Sequence, residues 1–209
     1  MTGSAEKVLY VFAGPNGSGK STIEELYAEY TALRSTVIVN PDNIAKGLYG
    51  KCQNPAAEAG KLALRRRQEL LREGASFGIE TTFSGSSEKR LIAEAKSLGY
   101  TVKAIYVATE SPEINVLRVM NRVRQGGHSV PPEDVRRRYA KSLASLGWLL
   151  QQADYAAVRD NTVWNRTFLR KKGGRVHAVS EDIPSWFLRS VDRGELQGRQ
   201  TEELLINKL

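Results

Sequence analysis

The 209-residue chain has a single cysteine, Cys52. An internal disulfide is therefore excluded, no cysteine-based metal site can form, and a reducing, cytoplasmic setting is the expectation. Long apolar runs are lacking too. Val8-Leu9-Tyr10-Val11-Phe12-Ala13 is far too short to cross a bilayer, and no small-residue cleavage site follows it, so neither a membrane span nor secretion is expected. Internal repeats and low-complexity tracts are absent. The RNP aromatics, KH-type glycine clamp and zinc-finger spacing of nucleic-acid modules are missing as well.

What is present suits one domain with a sizeable core: 209 residues with 41% hydrophobic content. The charge is lopsided, +8 at pH 7 with a pI near 9.6. Clustered cations exchange counterions for phosphates, which makes nucleic acid a candidate partner. A protein that surrounds nucleotide phosphates with arginines carries the same bias on a smaller scale. With no nucleic-acid motif in the chain, nucleic acid ranks second.

The run at 8–13 reads as a strand, and directly after it stands Gly14-Pro15-Asn16-Gly17-Ser18-Gly19-Lys20-Ser21-Thr22. This satisfies G-x-x-x-x-G-K-[ST] in the strand-to-helix setting that a phosphate-binding loop needs. Glycines let successive N–H groups turn inward around phosphate oxygens, and the following helix adds the positive end of its dipole. Lys20 is expected to bridge the β- and γ-phosphates, with the Ser21 hydroxyl in the shell of Mg²⁺. The plainer alternative, a glycine-rich turn, explains neither Lys20 nor Ser21.

The first helix is expected over Thr22 to Leu33. A β-branched strand follows at Thr36-Val37-Ile38-Val39, ended by Asn40-Pro41-Asp42-Asn43. Ligands of open α/β sheets bind outside the carboxyl ends of the strands, so Asp42 is a candidate general base for an acceptor hydroxyl. It is equally a candidate N-cap of a helix over 44–49, as are Asn40 and Asn43. Residues 56–73 form a long helix stopped by Gly74, and its run Arg65-Arg66-Arg67 reads as a solvated face. A short strand at 75–79 delivers the loop Glu80-Thr81-Thr82-Phe83-Ser84-Gly85, where Glu80 and Thr82 can hold substrate or act as turn and cap residues before a helix over 86–98. The strand Val102–Ala108 lacks the terminal acid of a Walker B motif, which leaves Mg²⁺ to Ser21, phosphates, water and Asp42 or Glu80.

Ser111-Pro112 opens a helix running to Gln125, and after Gly126-Gly127-His128-Ser129-Val130-Pro131-Pro132 a second one runs from Glu133 to Leu150. Arg118, Arg122 and Arg124 precede this break, and Arg136, Arg137 and Arg138 follow it. The arrangement suggests a lid, at about 118–140, whose guanidiniums meet the charge that develops on a transferring phosphoryl group. Arg138 lies beside the apolar stripe of Val135, Tyr139, Leu143, Leu146 and Leu150 and can point inward; Arg137 projects nearly opposite. Tyr155–Val158 is the last expected core strand, and a hairpin turns at Gly173-Gly174. Trp148, Trp164 and Trp186 are expected in packing. Residues 1–182 would form the main domain, with 183–209 a helical extension that carries no chemistry.

The ordered set GPNGSGKST, Asn40-Pro41-Asp42, Ile79-Glu80-Thr81-Thr82, Arg122-Val123 with Gly126-Gly127-His128 and Val130-Pro131, and Arg137-Arg138-Tyr139 resembles the zeta toxin family of P-loop kinases over roughly residues 7–165. The resemblance implies an α/β/α sandwich with a mainly parallel sheet. It also implies phosphorylation of a sugar hydroxyl of UDP-N-acetylglucosamine with ATP or GTP and Mg²⁺, and restraint by a small antitoxin protein. Carried over residue by residue, it implies Lys20 at the phosphates, Asp42 as general base, Glu80 and Thr82 near substrate, and Arg122 with Arg137 or Arg138 at the transferring group. A polynucleotide or RNA-end kinase, suggested by the charge, and a non-catalytic nucleotide-dependent binding module are the other two readings.

Overall fold

The computed structural model describes residues 6–30 and 35–191. Expectations for 31–33 of the first helix and for the tail beyond Val191 lie outside the described residues. The strands are β1 (Val8–Ala13), β2 (Val37–Val39), β3 (Phe77–Thr81), β4 (Thr101–Ala108), β5 (Tyr155–Asp160), β6 (Arg166–Lys172) and β7 (Arg175–Ala178). They make one sheet in the order β2-β3-β1-β4-β5-β6-β7. The first five are parallel and the last two antiparallel, the expected mainly parallel α/β arrangement. Parallel neighbours need crossovers. Helices α1 (Lys20–Tyr30), α2 (Pro41–Leu48), α3 (Pro55–Glu73), α4 (Ser87–Ser97), α5 (Pro112–Arg124), α6 (Pro132–Ala144) and α7 (Leu146–Gln152) supply them, and α8 (Ser185–Ser190) follows the hairpin.

Burial explains the central strand. Leu9, Val11 and Ala13 join the main core with Ile79, Val102, Ala104 and Val158, while Val8 and Phe12, pointing the other way, are buried as well. A strand covered on both sides reads as the continuous apolar run seen in the sequence. Beside it, α3 shows how local chemistry sets helix ends. Asn54 caps it by accepting from Ala57 N–H, Pro55 takes the first position, and Gly74, at φ +67°, donates to the carbonyls of Leu70 and Leu71.

Four expectations are corrected here. Arg67 is not on a solvated face: it is 4% exposed, with Glu88 3.6 Å away, because it shares the inward side of α3 with Ala63, Leu70 and Leu71. The helix expected over 133–150 is two, α6 and α7, since its apolar stripe serves two cores. Val135 packs with Val116, Val119 and Val130, whereas Leu146, Leu149 and Leu150 enter the main core, and the chain turns at Ser145 to reach both. Strand β3 continues through Glu80 and Thr81, paired along β1, so Glu80 stands in the sheet and not in a loop. Trp186 is fully buried as expected, but Trp164 is 70% exposed.

Candidate active site

The loop after β1 adopts a conformation that only its own sequence allows. Gly14 has φ +140°, and a Cβ there would sit 2.0 Å from the Val107 carbonyl; at Gly19, φ +95°, it would sit 2.4 Å from Asn161 Nδ2. Both positions combine a left-handed backbone with a close neighbour, so a side chain is excluded twice over. Two asparagines lace the loop to the body. Asn115 Nδ2 donates to Asn16 O at 2.6 Å, and Asn161 Nδ2 donates to Ser18 O at 2.8 Å. Neither was singled out by motif, because their role depends on contacts 99 and 143 residues distant in the chain.

Lys20 opens α1 and is 6% exposed. Its ammonium donates to Pro15 O at 2.9 Å and lies 3.9 Å from Glu80 Oε1. Burial lowers its pKa, an effect that Glu80 and Asp42 oppose. A nearly dry ammonium among inward-turned amides is a site for a polyanion. The Ser18 hydroxyl is buried there without a partner among the described residues.

Glu80 gathers the acceptor side. Its Oε2 accepts from the Ser21 hydroxyl at 3.0 Å and from Asn40 Nδ2 at 2.8 Å. Asn40 also caps α2, its Oδ1 accepting from Asp42 N–H at 2.9 Å. The cap is thus Asn40; Asp42 falls within the first turn of a helix that begins at Pro41 rather than Ile44, leaving its carboxylate uncommitted to capping. Glu24, one turn beyond Lys20, is held protonated up to about 8 by burial first and by the neighbouring Glu80 second. It is a residue that motif reading passed over.

A cavity of about 350 Å³ joins Lys20 and Ser21 to Asp42, Glu80, Arg118 and Arg122. Arg118 donates to the carbonyls of Asn161 at 2.8 Å and Thr162 at 3.1 Å. Arg122 donates to His128 O at 3.0 Å while its Nε is buried without a partner among the described residues. Arg138 reaches the phosphate loop, 3.5 Å from Asn16 Oδ1; Arg137 instead pairs at 2.6 Å with Asp134 on the surface. Thr82 pairs with Ser84 at 2.9 Å and does not line the cavity. Arg118, expected only as one of the arginines of the lid, proves to be a wall of the site.

Among the described residues no cluster of three or more His, Cys, Asp or Glu side chains can hold a metal. The Ser21 hydroxyl with the Glu80 carboxylate beside it is a pair of hard oxygen donors, which fits an ion whose shell is completed by phosphate oxygens and water, as Mg²⁺ prefers. Among the same residues no helix is long and apolar enough to cross a membrane.

The family model described as Zeta toxin matches residues 1–169. The chain belongs to the zeta toxin family. An uncharacterised protein of Haemophilus influenzae is 30% identical over 131 residues, 61% of this chain and 89% of that relative. Among solved structures, the PezAT toxin-antitoxin system of Streptococcus pneumoniae is similar with a TM-score of 0.63 at 16% identity, covering 98% of this chain and 85% of the other. The AvrRxo1-ORF1:AvrRxo1-ORF2 complex with sulphate ions gives 0.69 at 17% identity, covering 93% and 66%. At such identities these structures establish the fold that this zeta toxin family member shares.

Proposed function

We propose that this zeta toxin family member is a phosphotransferase that moves the γ-phosphate of ATP or GTP to a hydroxyl of a nucleotide sugar, such as UDP-N-acetylglucosamine, or a related small molecule. The observation that carries the reading is one cavity in which the buried Lys20 of the phosphate loop meets acids from two other strand ends, Asp42 after β2 and Glu80 in β3. A binding module has no need of the second and third of these.

The sheet order gives the site two sides. β3 and β2 lie to one side of β1 and carry Glu80 and Asp42; β4 and β5 lie to the other, where Asn161 and Arg118 stand. The triphosphate would occupy the middle, over residues 14–22. The acceptor would enter from the β2–β3 side, where Asp42 takes the hydroxyl proton as the bond to phosphorus forms and the bond to the leaving nucleoside diphosphate breaks. Glu80 would orient the acceptor, while Thr82, paired with Ser84 outside the cavity, is left without that role. Lys20, Arg122 and Arg138 meet charge on the transferring oxygens. Arg137 ranks behind Arg138, since Asp134 already holds its guanidinium. Mg²⁺, when bound near Ser21 and Glu80, supplies charge neutralisation at the phosphates.

ATP-dependent chemistry and the single cysteine support a cytoplasmic setting. A small antitoxin protein is proposed as a partner on the strength of the family. The test is transfer of labelled γ-phosphate, with Mg²⁺, to UDP-N-acetylglucosamine, other nucleotide sugars, nucleosides and short RNAs, with Lys20→Ala as the blank. Label on a sugar nucleotide supports the reading; label on RNA alone, or on nothing, overturns it.

A further inference from the structure

Four cations, Lys103, Arg170, Lys172 and Arg175, stand on one sheet surface away from the phosphate loop. On the face opposite the main core, register places Tyr10 beside Lys103 and Lys103 beside Tyr155. Tyr155 then stands opposite Lys172, and Lys172 opposite Arg175. One pleat away, Arg170 stands opposite His177. Side chains paired in register share a face, so these residues form a continuous strip across β1, β4, β5, β6 and β7. Tyr155 is 41% exposed, and Arg170, Lys172, Arg175 and His177 are exposed as well. The Lys103 ammonium lies 6.0 Å from the ring centre of Tyr10 and 5.6 Å from that of Tyr155.

The strip has a physical oddity. Lys172 and Arg175 face each other directly, a destabilising juxtaposition of like charges. Among the described residues no carboxylate pairs with Arg170, Lys172 or Arg175; the one acid that reaches the strip is Glu6, 3.7 Å from Lys103. Cations on the outer strand β7 alone would be accounted for as protection of a sheet edge. Edge protection does not call for the inner cations, nor for the Tyr155 ring set between Lys103 and Lys172. Arg170, Lys172 and Arg175, with no carboxylate on them among the described residues, and the exposed Tyr155 ring beside Lys172 are what a chain of phosphates and splayed bases fits.

We propose that this face binds single-stranded nucleic acid, with phosphates on Lys103, Arg170, Lys172 and Arg175 and bases against Tyr155 and Tyr10. A duplex would keep its bases stacked away from the rings. An acidic polypeptide would use the cations and ignore the rings. The inference is independent of the phosphotransfer reading, because none of these residues lines the Lys20 cavity.

The test is fluorescence anisotropy of the full chain with a labelled single-stranded RNA of about twelve nucleotides, the same sequence as DNA, and polyglutamate of similar length. Four phosphate contacts predict about fifty-fold weaker binding between about 50 and about 200 mM salt. The triple variant Arg170→Gln, Lys172→Gln, Arg175→Gln should lower the log–log salt slope by about 2, and Tyr155→Ala should weaken RNA binding about five-fold or more with polyglutamate unaffected. Phosphotransfer or ATP binding by each variant reports that it is folded. No binding at low salt overturns the proposal, as does an unchanged affinity in the triple variant. Polyglutamate binding equal to RNA with no effect of Tyr155→Ala would assign the face to an acidic protein. Loss of RNA binding in Lys20→Ala would move the contact to the nucleotide cavity and equally refute it.

Discussion

Glu80 satisfies three neighbours at once: the Ser21 hydroxyl, the Asn40 amide and, at longer range, the Lys20 ammonium. Among the described residues Asp42, in the same cavity, has no such set of partners, the arrangement expected of the proposed base. Asp42→Asn is therefore expected to leave ATP binding close to wild type while lowering kcat by about 10²–10⁴, read in parallel binding and turnover assays. Full activity would remove Asp42 from the role of base. Glu24 carries a separate consequence. Its pKa rises from an ordinary 4.5 to about 8 in the folded protein, through burial and then Glu80. Between those values the folded state holds a proton that the unfolded state has lost, so stability declines as pH rises through this window and levels off above it. In nucleotide-free, metal-free buffer, Glu24→Gln should flatten the fall in Tm between pH 4.5 and 8; equal declines in both proteins would contradict the assignment.

At the scale of elements, the sequence located most strands and helices but not the inward turn of each. The α3 helix stops at Gly74 as its glycine foretold, yet Arg67 in the same helix enters the interior, because which arc of a helix faces the core is set by the partner it meets. The break between α6 and α7 has the same origin. Both halves of the stripe are apolar, and only the position of two separate cores separates them. The hairpin of β6 and β7 was legible from Gly173-Gly174, while the facing of Lys172 and Arg175 was not, since it depends on register. Replacing Arg175 with Glu turns that repulsion into an opposite-charge pair, and ~0.2–1 kcal/mol of added stability is expected. Thermal unfolding should rise by about 1–3 °C, and a fall would show that the two side chains do not interact.

For the whole molecule, the segment without recognisable chemistry closes the core. Trp186 of α8 is 0% exposed and stands edge-on to Phe168 of β6 at 5.7 Å, with Tyr106 of β4 at 6.3 Å. Its indole N–H donates to Asp160, which also receives the Thr162 hydroxyl and backbone N–H, next to the Asn161 that anchors the phosphate loop. Trp186→Ala should cost ~3–5 kcal/mol, lowering Tm by about 10 °C or more. A loss below about 1 kcal/mol would mean that α8 merely rests on the surface.

The phosphate loop, the parallel α/β plan and the acids at strand ends were determined by the sequence alone. Each depends on residues adjacent in the chain, where spacing, glycine conformation and apolar runs act locally. What only the tertiary structure decided is which distant groups complete the site: Asn115 and Asn161 on the loop, Arg118 on its wall, Asn40 on Glu80, and Glu24 beside it. Their roles arise from sheet order and helix rotation, which bring together residues that carry no mark of one another until the chain has folded.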